Sequence, residues 1–436
     1  MSAGIRFRTD EEAEAYLLGF INYENLARYR PTTRTHDLRR FGQDLRRMGW
    51  RPGAIPAIHV GGTNGKGTVS TLIEAVLRAG GLRTGLYTSP HLLCMRERIR
   101  LAGRPIPSTA FRRGVARLAS FAPGGGEGFR TTFEHLTALA FLTFQEEKVD
   151  VAVIEVGLGG RLDATNVLPP GAAVLTPISL DHRQILGRTV GRIAADKAHI
   201  LKRGGRALVM PQGREAWAAV DRRCRREGLV PLRTEERVEV RETARSERES
   251  TFAIRGRRDY GTVVTGLLGA HQAGNVAAAV AAAEFYLPVP RAVRGVRQGI
   301  AGARISGRLD LRVISGRTHL LDGGHNPAAA RAVAAALNRH YPGSRVSAVV
   351  AMARDKDHRG FLRALAPVVS TFHFTSSASP RAVGAEVLAR RTPVSAQVHS
   401  DAATALAAAR RDGADIILVT GSFLLVAEVL RRVECR

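Results

Sequence analysis

The 436-residue sequence predicts an α/β fold whose N-terminal domain carries a mainly parallel sheet, with a smaller α/β domain after it. Three observations predict this. Apolar runs of strand length alternate with amphipathic, helix-length segments, the order that builds βαβ units. The segment GTNGKGT (residues 62–68) stands between an apolar run at 55–60 and a helix-like stretch at 69–79. A second set of alternating runs begins at Arg308, and a chain of this length exceeds a single hydrophobic core.

The first strand, at 57–60, feeds directly into the glycine loop. Strand, glycine loop and helix in that order grip a polyphosphate: glycine frees backbone N–H groups, Lys66 adds a compact positive charge, and the Thr68 hydroxyl sits at a helix N-terminus whose dipole favours anions. Gly62, Thr63, Asn64, Gly65, Lys66, Gly67 and Thr68 are therefore the candidate nucleotide-binding residues. Gly67 separates Lys66 from Thr68, which departs from the commonest kinase and GTPase spacing.

Further strands are expected at 84–87, 149–156 and 172–175. Their carboxyl ends lead into TSPHL (88–92), EVGLGGRLDATN (155–166) and TPISLDH (176–182). Ligands gather outside the carboxyl ends of strands in open α/β sheets, so four chemically loaded loops are expected to line one crevice. A glycine cluster at 124–128 reads as a loop. Charged, alternating stretches at 238–243 and 251–255 read as peripheral antiparallel strands or a hairpin, and an alanine-rich helix follows at 275–285. Pro288 and Pro290 mark a break, and residues 291–306 are expected to join the two domains, divided as 1–295 and 296–436. The second domain should hold strands at 309–314, 319–322, 345–352, 368–375 and 416–420.

Composition narrows the function. Lysine and arginine total 65, yet only Lys66, Lys148, Lys197, Lys202 and Lys356 are lysines. A surviving lysine gains weight where a guanidinium could not do the task, as at Lys66, or at Lys197 if its amine must lose a proton and react. The net charge of +26 fits either nucleic acid or small anionic substrates. Scattered arginines and only 6% aromatic residues favour small substrates over a nucleic-acid partner. No apolar stretch is long enough to cross a bilayer and no secretory h-region is present, so a cytoplasmic location without a membrane partner is expected. Cys94, Cys224 and Cys435 are far apart and odd in number, which predicts free thiols.

To the four loops can be added ERIRLAG (97–103), TTFEHLTALAF (131–141), LG at 186–187, HQAGN (271–275), GRLD (307–310), DGGHNP (322–327) and VTGS (419–422). In this order they resemble the dihydrofolate synthase and folylpolyglutamate synthase family, a branch of the Mur ligase superfamily. The resemblance implies a P-loop Mur-ligase-type ATPase domain followed by a Rossmann-like C-terminal domain, in a protein that is usually monomeric. It implies an ATP-dependent amide ligase that adds L-glutamate to dihydropteroate or reduced folates through an acyl phosphate, releasing ADP and phosphate.

Several roles follow from the resemblance. Magnesium wants hard oxygen ligands, which suits Glu155 and the Ser89 hydroxyl, and a second ion would take His182 and a carbamate on Lys197. Arg308 would contact the phosphates and Asp322 would bind nucleotide, with Gln272 and Asn275 on the adenine side. His325 and Ser422 would position the incoming glutamate. Phe133 and Glu134 would lie near the pterin-bearing substrate, although a core phenylalanine and a helix-capping glutamate explain them almost as well. The chain departs from the family's pattern at Asp196, His199, Ser306 and Gly324. These departures leave substrate identity open, so a related ligase with a non-folate carboxylate acceptor stands as the alternative. A nucleotide-regulated nucleic-acid-binding protein is a third possibility, against which EVGLGGRLDATN together with DGGHNP argues.

Overall fold

The computed structural model describes residues 5–22, 36–121 and 129–434. The glycine cluster at 124–128 and Cys435 lie outside the described residues. Two compact units interleave along the chain. The first takes Met1–Glu239, Gly256–Asp259 and Ala277–Gly299, and the second takes Val240–Arg255, Tyr260–Val276 and Ile300–Arg436. Among the described residues no helix is long and apolar enough to cross a membrane.

The first unit is built on eight strands: β1 (Ala57–Gly61), β2 (Thr84–Tyr87), β3 (Ile99–Leu101), β4 (Arg104–Pro105), β5 (Val151–Glu155), β6 (Ala172–Leu175), β7 (Arg206–Val209) and β8 (Pro231–Arg233). Their order is β4-β3-β2-β5-β1-β6-β7-β8. Pairing is parallel along β2-β5-β1-β6-β7-β8, and the β2–β3 and β3–β4 pairs are antiparallel. Residues of β1, β2, β5 and β6 are almost all buried, which explains why they read as continuous apolar runs rather than alternating ones. From β1 the chain crosses to β2 on one side of the sheet, whereas from neighbouring β6 it continues to β7 on the other. The carboxyl ends of β1 and β6 therefore flank the topological switch point, where ligands bind in such sheets.

Residues 291–306, expected as a joining stretch, belong mostly to a helix, Val289–Gly302, along which the chain passes from the first unit to the second. Pro290 is tolerated there because the first helical turn has no intrahelical use for its missing N–H. This helix packs closely on Lys66–Ala79 through glycine. A Cβ at Gly295 would lie 2.5 Å from the Val76 carbonyl oxygen, and one at Gly299 would lie 2.6 Å from that of Ala75.

The second unit carries a six-stranded sheet of β12 (Asp310–Ile314), β13 (Arg317–Asp322), β14 (Val346–Val350), β15 (Thr371–Phe374), β16 (Ala396–Val398) and β17 (Ile416–Thr420), in the order β12-β13-β17-β14-β15-β16. Only the β12–β13 pair is antiparallel. Its core gathers Val333, Leu337, Phe361, Phe372, Phe374 and Leu418. The charged stretches expected at 238–243 and 251–255 fall in a separate three-stranded sheet of β9 (Glu239–Arg245), β10 (Ser250–Arg255) and β11 (Asp259–Thr265).

Candidate active site

The glycine loop runs from β1 into the helix Lys66–Ala79. Gly62 has φ +139°, and a Cβ there would come within 1.9 Å of Thr176 Oγ1, so only glycine lets the loop cross the segment after β6. The N–H groups of Thr63 and Asn64 donate to the Pro177 carbonyl at 3.1 and 3.2 Å, and Asn64 Nδ2 donates to Ser179 Oγ at 3.0 Å. Those two N–H groups serve loop geometry, which leaves the helix terminus as the anion-binding part. Gly65 caps the helix in the left-handed conformation and, as glycine, brings no capping side chain of its own. Lys66 is half-buried beside them, its Nζ 3.5 Å from the Thr63 carbonyl oxygen, and Thr68 is buried in the first turn. A glycine-capped helix N-terminus with an adjacent ammonium group suits a phosphate.

Next to β1, β5 ends at Glu155, whose buried Oε2 accepts from the Ser89 N–H at 3.0 Å. The loops after β2 and β5 are thereby tied together. Beyond Glu155 the chain turns through Gly157, Gly159 and Gly160. A Cβ at Gly160 would lie 2.7 Å from the Lys197 carbonyl oxygen, so this loop rests directly on the end of the helix Val190–Lys197. Buried Asp163 holds the loop through bonds from the Leu158 N–H (2.8 Å), the Thr165 N–H (3.0 Å) and the Thr165 hydroxyl. Since that hydroxyl proton goes to Asp163, its oxygen accepts from His59 Nε2–H at 2.8 Å.

Lys197 is buried, and its amine is pulled down to about 7, first by desolvation and then by the positive charge of Lys66, against Asp181, Asp196 and Asp163. Its sensitivity to Lys66 shows that the phosphate-binding loop and this helix share one electrostatic neighbourhood. His182 adopts φ 48°, a left-handed conformation uncommon outside glycine, and its N–H donates to Asp181 Oδ1 at 2.8 Å. The departures noted in the sequence are engaged locally. Asp196 Oδ2 pairs with Arg161 at 3.6 Å, and His199 Nδ1–H donates to the Ala195 carbonyl at 2.9 Å.

In the second unit the parallel pair β13 and β17 places DGGHNP beside VTGS, with Asp322 opposite Thr420. The Gly421 N–H donates to the Gly324 carbonyl at 3.0 Å. Asp322 is buried and accepts from the N–H groups of Leu309 (3.0 Å) and Gly324 (2.8 Å). Burial pushes its carboxyl above the usual range, while Arg308 and these bonds counter the rise. His325 Nδ1 lies 3.2 Å from the Gly323 carbonyl oxygen, and Asn326 caps the helix Pro327–His340. Ser422 Oγ accepts from the Leu424 N–H at 3.1 Å. Gln272 and Asn275 are buried, and Asn275 Nδ2 donates to Gln272 Oε1 at 2.8 Å. A Cβ at Gly324 would fall 2.6 Å from Asp322 Oδ1 and 2.8 Å from the Ala329 Cβ.

Two sequence candidates have structural work to do. Glu134 completes a capping box with Thr131, and its buried carboxylate also accepts from the Arg130 N–H. Phe133 lies against Gly157, where a Cβ would meet its ring at 2.5 Å, and tilts toward Tyr87 with ring centroids 5.9 Å apart. It therefore backs the loop that carries Glu155. Sequence reasoning passed over the His59, Thr165 and Asp163 chain. The buried polar residues inside apolar β1 and inside the LDATN motif are the signal that could have revealed it.

Comparison with known proteins places this geometry. The Mur ligase middle domain matches residues 60–283, and the Mur ligase glutamate ligase domain matches residues 307–423. The Mycobacterium tuberculosis protein named dihydrofolate synthase/folylpolyglutamate synthase is 37% identical over 369 residues, covering 77% of this chain and 73% of that protein. The Bacillus subtilis protein of the same name is 31% identical over 409 residues, covering 91% and 95%. A Halobacterium salinarum protein, a probable bifunctional folylpolyglutamate synthase/dihydropteroate synthase, is 34% identical over 427 residues, but this chain spans only about 50% of its length. Among solved structures, Mycobacterium tuberculosis folylpolyglutamate synthase complexed with ADP superposes with a TM-score of 0.83 at 29% identity, covering 97% of this chain and 98% of that one. Escherichia coli FolC in complex with DHPP and ADP gives 0.81 at 29% identity, covering 98% of each. The chain belongs to the Mur ligase family, in the branch of the dihydrofolate synthase/folylpolyglutamate synthase enzymes, which are ATP-dependent ligases.

Proposed function

We propose that this chain couples ATP cleavage to amide formation between L-glutamate and dihydropteroate, reduced folates or both, acting as a cytoplasmic monomer. The observation that carries the reading is the buried Lys197, packed under the loop of Glu155 and near enough to the phosphate-binding loop for the Lys66 charge to act on its amine. A buried lysine that is half deprotonated near pH 7 can attack carbon dioxide, and the resulting carbamate is an anionic oxygen donor.

A carboxylate is a poor electrophile, so one of its oxygens attacks the γ-phosphorus of ATP, the bond to the ADP oxygen breaks, and an acyl phosphate forms. The glutamate amine then attacks the acyl carbon, phosphate departs with the bonding electrons, and the amine nitrogen loses a proton. Such transfer depends mostly on positioning and on neutralising anionic oxygens. The N–H groups at the glycine-capped Lys66–Ala79 terminus and the Lys66 ammonium hold the phosphates, with Thr68 at the same terminus. Arg308 adds a further cation on the phosphates, and Asp322 holds the turn preceding Leu309. His325 and Ser422 position glutamate, Gln272 and Asn275 lie on the adenine side, and Phe133 backs the pterin side.

Magnesium fits the oxygen donors of this site, because Glu155 and Ser89 are tied together at one strand end. Bound there, it would neutralise phosphate oxygens. Glu155 and the Ser89 hydroxyl would hold one ion, and His182 with the Lys197 carbamate a second.

The deciding experiment supplies purified protein with ATP, magnesium and glutamate, and measures phosphate release with dihydropteroate, with tetrahydrofolate and with neither. Acceptor-dependent release with either pterin compound supports the reading, and release with dihydropteroate alone removes polyglutamylation. Silence with both acceptors rejects it in favour of a non-folate acceptor.

A further inference from the structure

Arg308 follows Gly307 in the turn before β12, and its Cζ lies 4.3 Å from the centroid of the Phe423 ring. Among the described residues, no hydrogen bond or ion pair engages its guanidinium. Both oxygens of nearby Asp322 are taken by backbone N–H groups. The donor edge of the guanidinium is thus available while its face is covered.

The ring that covers it is itself seated on backbone. A Cβ at Gly323 would lie 2.7 Å from ring carbons of Phe423, so glycine is required for the aromatic to lie there. The three loops are strapped together by the Gly323 N–H to the Gly307 carbonyl (2.9 Å) and the Gly421 N–H to the Gly324 carbonyl (3.0 Å). Phe423 opens the helix Phe423–Glu434 directly after Ser422, which fixes the ring's origin.

We propose that Phe423 is a positioning residue for nucleotide: stacked between Gly323 and Arg308, it holds the guanidinium flat so that its N–H edge meets phosphate oxygens. The inference rests on reading Arg308 as a phosphate contact. A planar guanidinium stacks on an aromatic face and presents paired donors to phosphate, and stacking removes rotamer freedom before the ligand arrives.

The test measures binding of ADP and of a non-hydrolysable ATP analogue, with magnesium, to the full chain by calorimetry, alongside KM and kcat. Phe423→Leu should weaken binding of the analogue about three- to tenfold and raise KM for ATP by a similar factor, with kcat within about twofold. Phe423→Tyr should bind within about twofold of the parent, because it keeps the ring face. Arg308→Ala should weaken binding about tenfold or more, and adding Phe423→Leu to it should cost nothing further. If Arg308→Ala weakens binding but Phe423→Leu does not, or if Phe423→Leu acts equally in the Arg308→Ala background, the ring does not work through Arg308 and the proposal fails. Unchanged binding by Arg308→Ala would instead reject the phosphate-contact reading on which it rests. Phe423→Met carries the same comparison should the leucine variant fail to fold.

Discussion

The Ser89 N–H donates to Glu155 Oε2 at 3.0 Å, joining the loop after β2 to the end of β5. A glutamine at 155 can still accept that bond through its amide oxygen, but it lacks the charge a magnesium ion needs. Glu155→Gln should therefore keep its melting temperature near the parent's while the magnesium concentration for half-maximal phosphate release rises about tenfold or more. A titration that superimposes on the parent's would remove Glu155 from the metal site.

Lys197→Arg keeps the positive charge but cannot form a carbamate, since arginine stays protonated. Turnover should fall more than about 100-fold, as for loss of a metal ligand. In metal-free protein the sign of the lysine's own contribution follows from its depressed pKa, about 7 when folded against 10.5 ordinarily. The unfolded chain binds more protons between those values, so stability should rise with pH across that window. Urea midpoints from pH 7 to 10 should show a steeper rise in the parent than in Lys197→Met; parallel lines would contradict the buried, near-neutral amine.

The fold was legible where burial leaves a pattern along the chain. Strands β1, β2, β5 and β6 lose water on both faces and so read as unbroken apolar runs, and their loops carry the GTNGKGT, TSPHL, EVGLGG and TPISLDH residues. The Val289–Gly302 helix is less legible, because proline signals a break unless it falls in a first turn. Side-chain placement was less accessible. Nothing in local spacing says that Arg308 lies over Phe423, or that His59 reaches Thr165, because strand order and register decide such pairings. Glu134 shows the converse: its cap with Thr131 follows from the T-x-x-E spacing alone.

Gly62→Ala tests the loop crossing. At φ +139° an alanine is strained, and its Cβ would fall 1.9 Å from Thr176 Oγ1 and 2.7 Å from the Thr176 carbonyl oxygen. A backbone oxygen cannot rotate away as a flexible side chain can, so the loop must move. Nucleotide affinity should drop by more than about tenfold, with about 1–3 kcal/mol of stability lost. Calorimetric titration with ADP and a thermal melt read the two effects separately, and an alanine variant matching the parent in both would show that the close approach to Thr176 is not needed.

His59 should make the protein acid-sensitive. It is buried within β1, and desolvation, aided by the positive charge of Lys202, pulls its imidazole down to about 3 from 6.5. Above pH 6.5 the ring is neutral in both folded and unfolded chains, and its contribution is fully present. As pH falls toward 3 the unfolded chain takes up a proton that the folded one refuses, so stability is lost across that window, at up to about 1.4 kcal/mol per pH unit. His135, pulled down to about 4 by burial, adds a loss of the same sign. His59→Gln can keep a donor to Thr165 but cannot take up the proton, so it should lower stability at pH 7 while flattening the decline between pH 6.5 and 4. Urea midpoints at pH 7, 5.5 and 4.5 measure that slope, and a glutamine variant that declines as steeply as the parent would mean that the buried imidazole is not what the acid attacks.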